Sequence, residues 1–196
     1  HTRYERPSDI YRHLIHGAVY EARYAWPKRR KICSENDAHA LYVVLNGLEK
    51  ATQKKSYQLL KQQLSLSVLA RQGKDGGWRH GEWTSYMESH HRLHCSAMHL
   101  LMDAYEEAPN DTIGRSLEDA AAFISKKTDN TEFGLWFLHD ELETSDDKME
   151  AAPFEWHVSH AFGKSASNML VLNTHLDTTV ALERYSRMMN DAGYAA

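Results

Sequence analysis

The chain reads as an all-α protein, a helix-hairpin array. Three observations carry that reading. Apolar residues recur at helical spacing in six segments. Long aromatic loops alternate with short plain turns. All five tryptophans, Trp26, Trp78, Trp83, Trp136 and Trp156, fall in the connections. With 196 residues the chain is long enough for one domain with a real core, so residues 1–196 are taken as a single domain.

The first helix is expected from about Ser8 to Ala25, with Ile10, Leu14, Ala18 and Ala22 on one face and Pro27 ending it. The second starts near Asn36-Asp37, a good N-cap, and carries Ala38, Leu41, Tyr42, Leu45 and Leu48. The third covers about Lys54 to Gln72, stopped by Gly73 and the Gly76-Gly77 pair. A fourth begins around Ser85 to Ser89 and runs through Leu93, Met98 and Tyr105 to Pro109. Asp111 or Thr112 caps the fifth, whose stripe is Ile113, Leu117, Ala120, Ala121 and Ile124. The sixth starts near Ser167 and ends about Met189. The second, fourth and sixth are apolar around most of their circumference, so they should be covered on most sides. The order is therefore outer helix, long loop, inner helix, short turn, three times over. The long loops are 26–36, 73–85 and 128–166. Phe133 to Leu138 suits a short strand or hairpin, and the charged run Glu141 to Glu150 reads as mobile.

Charge excludes some partners. Lys+Arg 23 against Asp+Glu 27 gives a net charge of −4, and the one basic block is Lys28-Arg29-Arg30-Lys31, so no nucleic-acid partner is expected. No apolar run approaches the roughly 20 residues that span a bilayer, so no membrane partner is expected either. No signal peptide is read, but the chain opens at His1, so the compartment stays open. Cys33 and Cys95 are compatible with one disulfide or two free thiols.

The richest segment is Trp78-Arg79-His80-Gly81-Glu82-Trp83. Sugars stack their C–H faces on indoles while polar tips bond the hydroxyls. Arg79 suits a bidentate grip on a carboxylate, and Glu82 or His80 suits proton transfer. The plain alternative is that the tryptophans plug helix ends and Arg79 pairs with Glu82. His90 and His94 lie one turn apart, a spacing that suits two metal ligands. No Cys-x-x-Cys or His-Glu-x-x-His accompanies them, and His94 equally suits packing beside Met98 and Leu101, so no metal or cofactor is expected. Trp156-His157 echoes the Trp-His loop, while Asn36, His39 and Asn168 reach the same rim from helix starts. Asp140-Glu141 lies in an acidic run and is read as solvated loop rather than a catalytic pair.

Two stretches carry a resemblance. Asp75 to Trp83, D-G-G-W-R-H-G-E-W, resembles the Gly-Gly-Trp segment opening an active-site loop in (α/α) toroid carbohydrate enzymes. Asn168 to Tyr185, with its V-L-N, is similar to an inner helix of glucuronyl C5-epimerase-like toroids, and His94 to Tyr105 looks like another. The resemblance implies an arc of an (α/α) toroid, either a piece of a longer enzyme or an arc completed by a second subunit. It implies a polysaccharide lyase, uronyl epimerase or glycoside hydrolase acting on a uronate-containing polysaccharide or oligosaccharide, with proton abstraction as the leading chemistry. On that reading Arg79 and Asn168 neutralise the uronate carboxylate. Tyr86, His91, His157 or Glu82 is the acid or base, and Trp78, Trp83, Trp136 and Trp156 are stacking walls, with His80, Asn36 and His39 contributing to binding. The alternatives are a non-catalytic helical-repeat module binding glycan or protein through the Trp rim, and last a terpene or prenyl cyclase-like toroid, whose Asp-rich motifs are absent.

Overall fold

The structure, a computed structural model, describes residues 35–79, 88–132, 134–150 and 170–194. Five long helices dominate them: α1 (Glu35–Thr52), α2 (Lys55–Leu69), α3 (His91–Glu107), α4 (Asp111–Ile124) and α6 (Leu172–Met189). Between α4 and α6 come an antiparallel hairpin of β1 (Thr128–Thr131) and β2 (Gly134–Phe137), a 3-10 turn (Glu141–Thr144) and the short α5 (Asp146–Glu150). The expected helix at Ser8 to Ala25 lies outside the described residues.

Side-chain pairs fix the helix directions. Asn36 meets Ser96 and His39 meets Asp103, so α1 and α3 run parallel. Arg92 meets Asp177 and Asp103 meets Arg184, so α6 runs parallel to both. Arg71 pairs with Glu35 and Lys61 with Glu49, so α2 returns antiparallel to α1. His94 reaches the Ala120 carbonyl near the other end of α4, so α4 returns antiparallel to α3. The result is two layers: α1, α3 and α6 side by side and parallel, with α2 and α4 running back behind them. As expected from the sequence, the described residues are mostly helical, and short turns join α1 to α2 and α3 to α4. The described helices are not a closed ring.

Each boundary has a local cause. Gln53, at φ 56°, turns the chain from α1 to α2, and its amide bonds the Glu49 carbonyl. The α4 cap is Asn110 rather than Asp111 or Thr112: its Oδ1 accepts the Ile113 amide at 3.0 Å. Asp111 then complements the helix dipole in the first turn. Helix α3 starts at His91, not at Ser85 to Ser89. Residues Ser89 to His91 are extended and bonded to His139 to Glu141 across an isolated β-bridge. Helix α6 starts at Leu172, later than Ser167, because Leu170 at φ 51° and extended Val171 break the chain before it.

The core lies between the layers. Leu100, Leu101 and Met102 of α3 are fully buried, joined by Leu41, Tyr42 and Leu45 from α1, Leu117 and Ile124 from α4, and Leu182 from α6. Each such side chain contributes about 1.5–3 kcal/mol. Helix α3 is covered almost all round, as expected. Helices α1 and α6 are not: Val44 and Leu48 on one, and Leu172, Leu176 and Val180 on the other, are exposed on the two edges of the layer. The run from Glu141 to Glu150 is not a mobile loop. Leu142 and Met149 are buried, and Asp140 caps the 3-10 turn by accepting the Leu142 amide at 2.8 Å. No helix among the described residues is long and apolar enough to cross a membrane.

Candidate functional site

The Gly-Gly-Trp-Arg loop is built to pack. A Cβ on Gly76, whose φ is +88°, would stand 2.2 Å from the Asp119 carbonyl oxygen, and one on Gly77 would meet the Phe123 ring at 2.7 Å. Only glycines let this loop lie on α4. Trp78 follows, with 0% of its surface exposed. Its indole N–H donates to the Val68 carbonyl at 2.9 Å and its ring stands edge-on to His94. Trp78 is therefore a plug, and an enclosed indole offers no face for sugar stacking. Arg79 is likewise committed. Its Nε and Nη2 bond both oxygens of Glu141, and its Nη1 and Nη2 bond both oxygens of Asp75. The grip assigned to a uronate is filled by two internal carboxylates. The expected Glu82 partner lies outside the described residues.

His91 is not placed for proton transfer to a substrate. It is fully buried, its Nδ1–H donates to the Leu138 carbonyl at 2.8 Å, and burial pushes its pKa down to about 3. His94 is also fully buried, wedged between Trp78 and Phe123, with Nε2 spent on Ala120. The metal pairing considered for His90 and His94 loses that ligand. Asp140 and Glu141 are buried rather than solvated. Burial first, then the charges of Glu88, Glu143 and Glu141, raise the Asp140 carboxyl well above its ordinary range. Burial acts the same way on Glu141, but Arg79 overcomes it and holds that carboxylate low. This cluster ties the loop after α2, the start of α3 and the hairpin into one rigid end. His80, Glu82, Trp83, Tyr86, Trp156, His157 and Asn168 lie outside the described residues.

The accessible polar groups are elsewhere. At the same end of the molecule, half-buried Trp136 stacks on His175, with ring centres 4.3 Å apart and planes 14° apart. His175 accepts the Phe137 amide on Nδ1. His139 meets the Thr174 hydroxyl at 2.6 Å, and burial pushes its pKa down to about 4. From there a polar track descends the shared face of α1, α3 and α6. Arg92 pairs with Asp177 at 2.8 Å, and the Ser96 hydroxyl donates to Asn36 at 3.3 Å.

Next comes the densest cluster. His39 Nε2 lies 3.3 Å from Asp103 Oδ2, and the His39 and His99 rings stack at 5.7 Å. Arg184 Nη2 donates to Asp103 at 2.6 Å and to Glu106 at 3.0 Å, while Nη1 lies 3.4 Å from His99 Nδ1. Burial alone would raise the Asp103 carboxyl, but bonds from His39 and Arg184 hold it below its ordinary value. Burial, with help from His39 and Arg184, takes His99 down to about 4, so it is neutral near pH 7. The Nε2 edge of His39 faces the Asp103 carboxylate, and Nδ1 is its other ring nitrogen. The N-termini of α3 and α6, at His91 and Leu172, stand at the upper end of this track. Each contributes roughly half a positive charge.

The sequence reading found Asn36, His39 and Trp136. It missed Arg92, Ser96, His99, Asp103, Asp177 and Arg184. A signal existed: positions 92, 96, 99, 103 and 106 of α3 are all polar and recur every three or four residues, which is one face of a helix. No protein-family model, no curated protein and no solved structure matches the chain, so the functional argument rests on this geometry.

Proposed function

We propose that the chain is a carbohydrate-active enzyme, or part of one. It binds a uronate-containing polysaccharide along the shared face of α1, α3 and α6 and abstracts the proton beside the uronate carboxylate, giving elimination or epimerisation. In this reading the two layers are an arc of an (α/α) toroid. The observation that carries it is the His39–Asp103–Arg184–His99 cluster on a part-exposed face.

His39 is the base. Asp103 fixes its tautomer and stabilises the imidazolium that forms when Nδ1 takes the proton. His99, neutral, buttresses the His39 ring. Arg92 and Arg184 are balanced by Asp177, Asp103 and Glu106, so net positive charge on the face does not draw the uronate in. Asn36 and Ser96, one turn above His39 and His99, hold the carboxylate and its neighbouring hydroxyls beside the base. Trp136, half-buried, takes over the stacking role that Trp78 cannot fill.

The test is a panel of uronate polymers assayed for unsaturated product and for epimerised residues. His39→Ala should lower turnover by roughly 10²–10⁴-fold, and Asp103→Asn by a smaller factor. Full activity in both variants ends the assignment. The exposed aliphatic edges, Val44 and Leu48 on α1 and Leu172, Leu176 and Val180 on α6, favour a neighbour on each side. Further helix pairs of a longer chain, or a second subunit completing the ring, would fill that role. Saccharide binding without turnover would leave the helical-repeat binding module as the better reading.

A further inference from the structure

The two outer helices are clamped together at one end and apart at the other. Near the long loops, Gln72 Nε2 donates to the Gly76 and Ser116 carbonyls, and the Ser116 hydroxyl donates to Gln72 Oε1. Toward the short turns, a cavity of about 400 Å³ opens between α2 and α4, backed by Tyr42 of α1 and Ala104 of α3. That volume lies in the range of small-molecule sites. Its walls are mostly apolar and include Leu66, Leu69 and Ile113.

One charged group in the wall is unusual. Lys61 is 3% exposed on a helix whose other lysine and glutamine residues are mostly solvated. Its ammonium lies 2.7 Å from each oxygen of Glu107, 2.8 Å from Glu49 and 3.1 Å from Asn46. Burial would lower its pKa, yet Glu107 and Glu49 more than reverse that, so it stays charged. An ammonium has three donors, and these partners use them all. Lys61 therefore has nothing left for an anion. Two carboxylates around one ammonium leave a net negative charge, and Glu107, with 39% of its side chain exposed, carries it to the cavity wall.

We infer that this cavity is a binding site for a small primary amine, its ammonium at Glu107 and its compact apolar body against Leu66, Leu69 and Ile113. The site is separate from the saccharide face. Asp103 and Glu106 of α3 face the polar track, whereas Ala104 and Glu107 face the cavity. Its fate is therefore independent of the proposed enzymatic reading.

Three probes of one shape test it on the intact chain: cyclohexylmethylamine, cyclohexylmethanol and cyclohexanecarboxylate, followed by saturation-transfer NMR and calorimetry. The amine should bind roughly tenfold tighter than the alcohol, and the carboxylate should not bind. Thr112→Trp, at the exposed mouth, should abolish binding with the circular dichroism unchanged. Glu107→Gln should bring the amine down to the affinity of the alcohol. If Glu107→Gln fails to fold, Thr112→Trp and the probe series still decide the matter. No amine binding, equal binding of all three probes, or binding that survives Thr112→Trp would overturn the inference.

Discussion

Acidification should destabilise the fold well above the pH at which its carboxylates protonate. His91 is held at about 3, and His99 and His139 at about 4, in each case chiefly by burial. In the unfolded chain each imidazole returns to about 6.5. A depressed histidine favours folding fully above that unfolded value, and the contribution is lost as pH falls toward the folded value. Between about pH 6.5 and 4.5 unfolding therefore takes up a proton at each of these three histidines, each worth about 1.4 kcal/mol per pH unit, and His175, also lowered by burial, adds to the same trend. Asp140 works the other way. Its folded pKa is raised, so unfolding releases its proton and partly offsets the histidines.

The three histidines alone set a slope of about 4 kcal/mol per pH unit, which Asp140 reduces, so the loss by pH 5 is a large share of a typical 5–15 kcal/mol. Denaturant unfolding at half-unit pH steps measures it. His91→Gln should flatten the slope by one proton, and Asp140→Asn should steepen it. Stability that is flat, or that rises, from pH 6.5 to 5 would refute the reasoning.

Substitutions at four residues test the remaining geometry. Trp78→Phe should cost about 1 kcal/mol for the lost Val68 bond plus some packing, and Trp78→Ala about 3–5 kcal/mol, by thermal melts. Saccharide affinity should be unchanged in Trp78→Phe and reduced in Trp136→Ala. Gly76→Ala should cost about 3 kcal/mol or more, because the added methyl meets backbone at Asp119 and the backbone is left-handed there. Arg79→Met should cost about 2–4 kcal/mol in chemical unfolding, allowing for a guanidinium one-third exposed, since Glu141 is left buried without its main partner.

How much of this was legible beforehand depended on whether the signal was local. Helix periodicity and the strand expected within Phe133 to Leu138 are written in neighbouring residues, and the described residues show both, the strand at Gly134–Phe137 pairing with Thr128–Thr131, which the sequence reading did not pick out. Helix starts shifted where tertiary pairing overrode local capping, as at Ser89, which is drawn into a bridge with the Asp140 strand. The site was harder to read. Trp78 and Arg79 have the chemistry of a sugar subsite, but whether an indole is a wall or a plug depends on Val68 and His94, and whether a guanidinium is free depends on Glu141, sixty-two residues away. Conversely, α3 read as apolar around most of its circumference because its buried stripe of Leu, Met and Ala dominates the pattern. Only their spacing marks the face that carries His99 and Asp103.

The most direct test of the central claim is release of isotope from a uronate oligosaccharide deuterated at the carbon bearing its carboxylate. The account expects label to appear in water with the native chain, through elimination or epimerisation alike, and to stay on the sugar with His39→Ala although the oligosaccharide still binds. Label retained by a saccharide that the native chain binds, or released equally fast by His39→Ala, would contradict it.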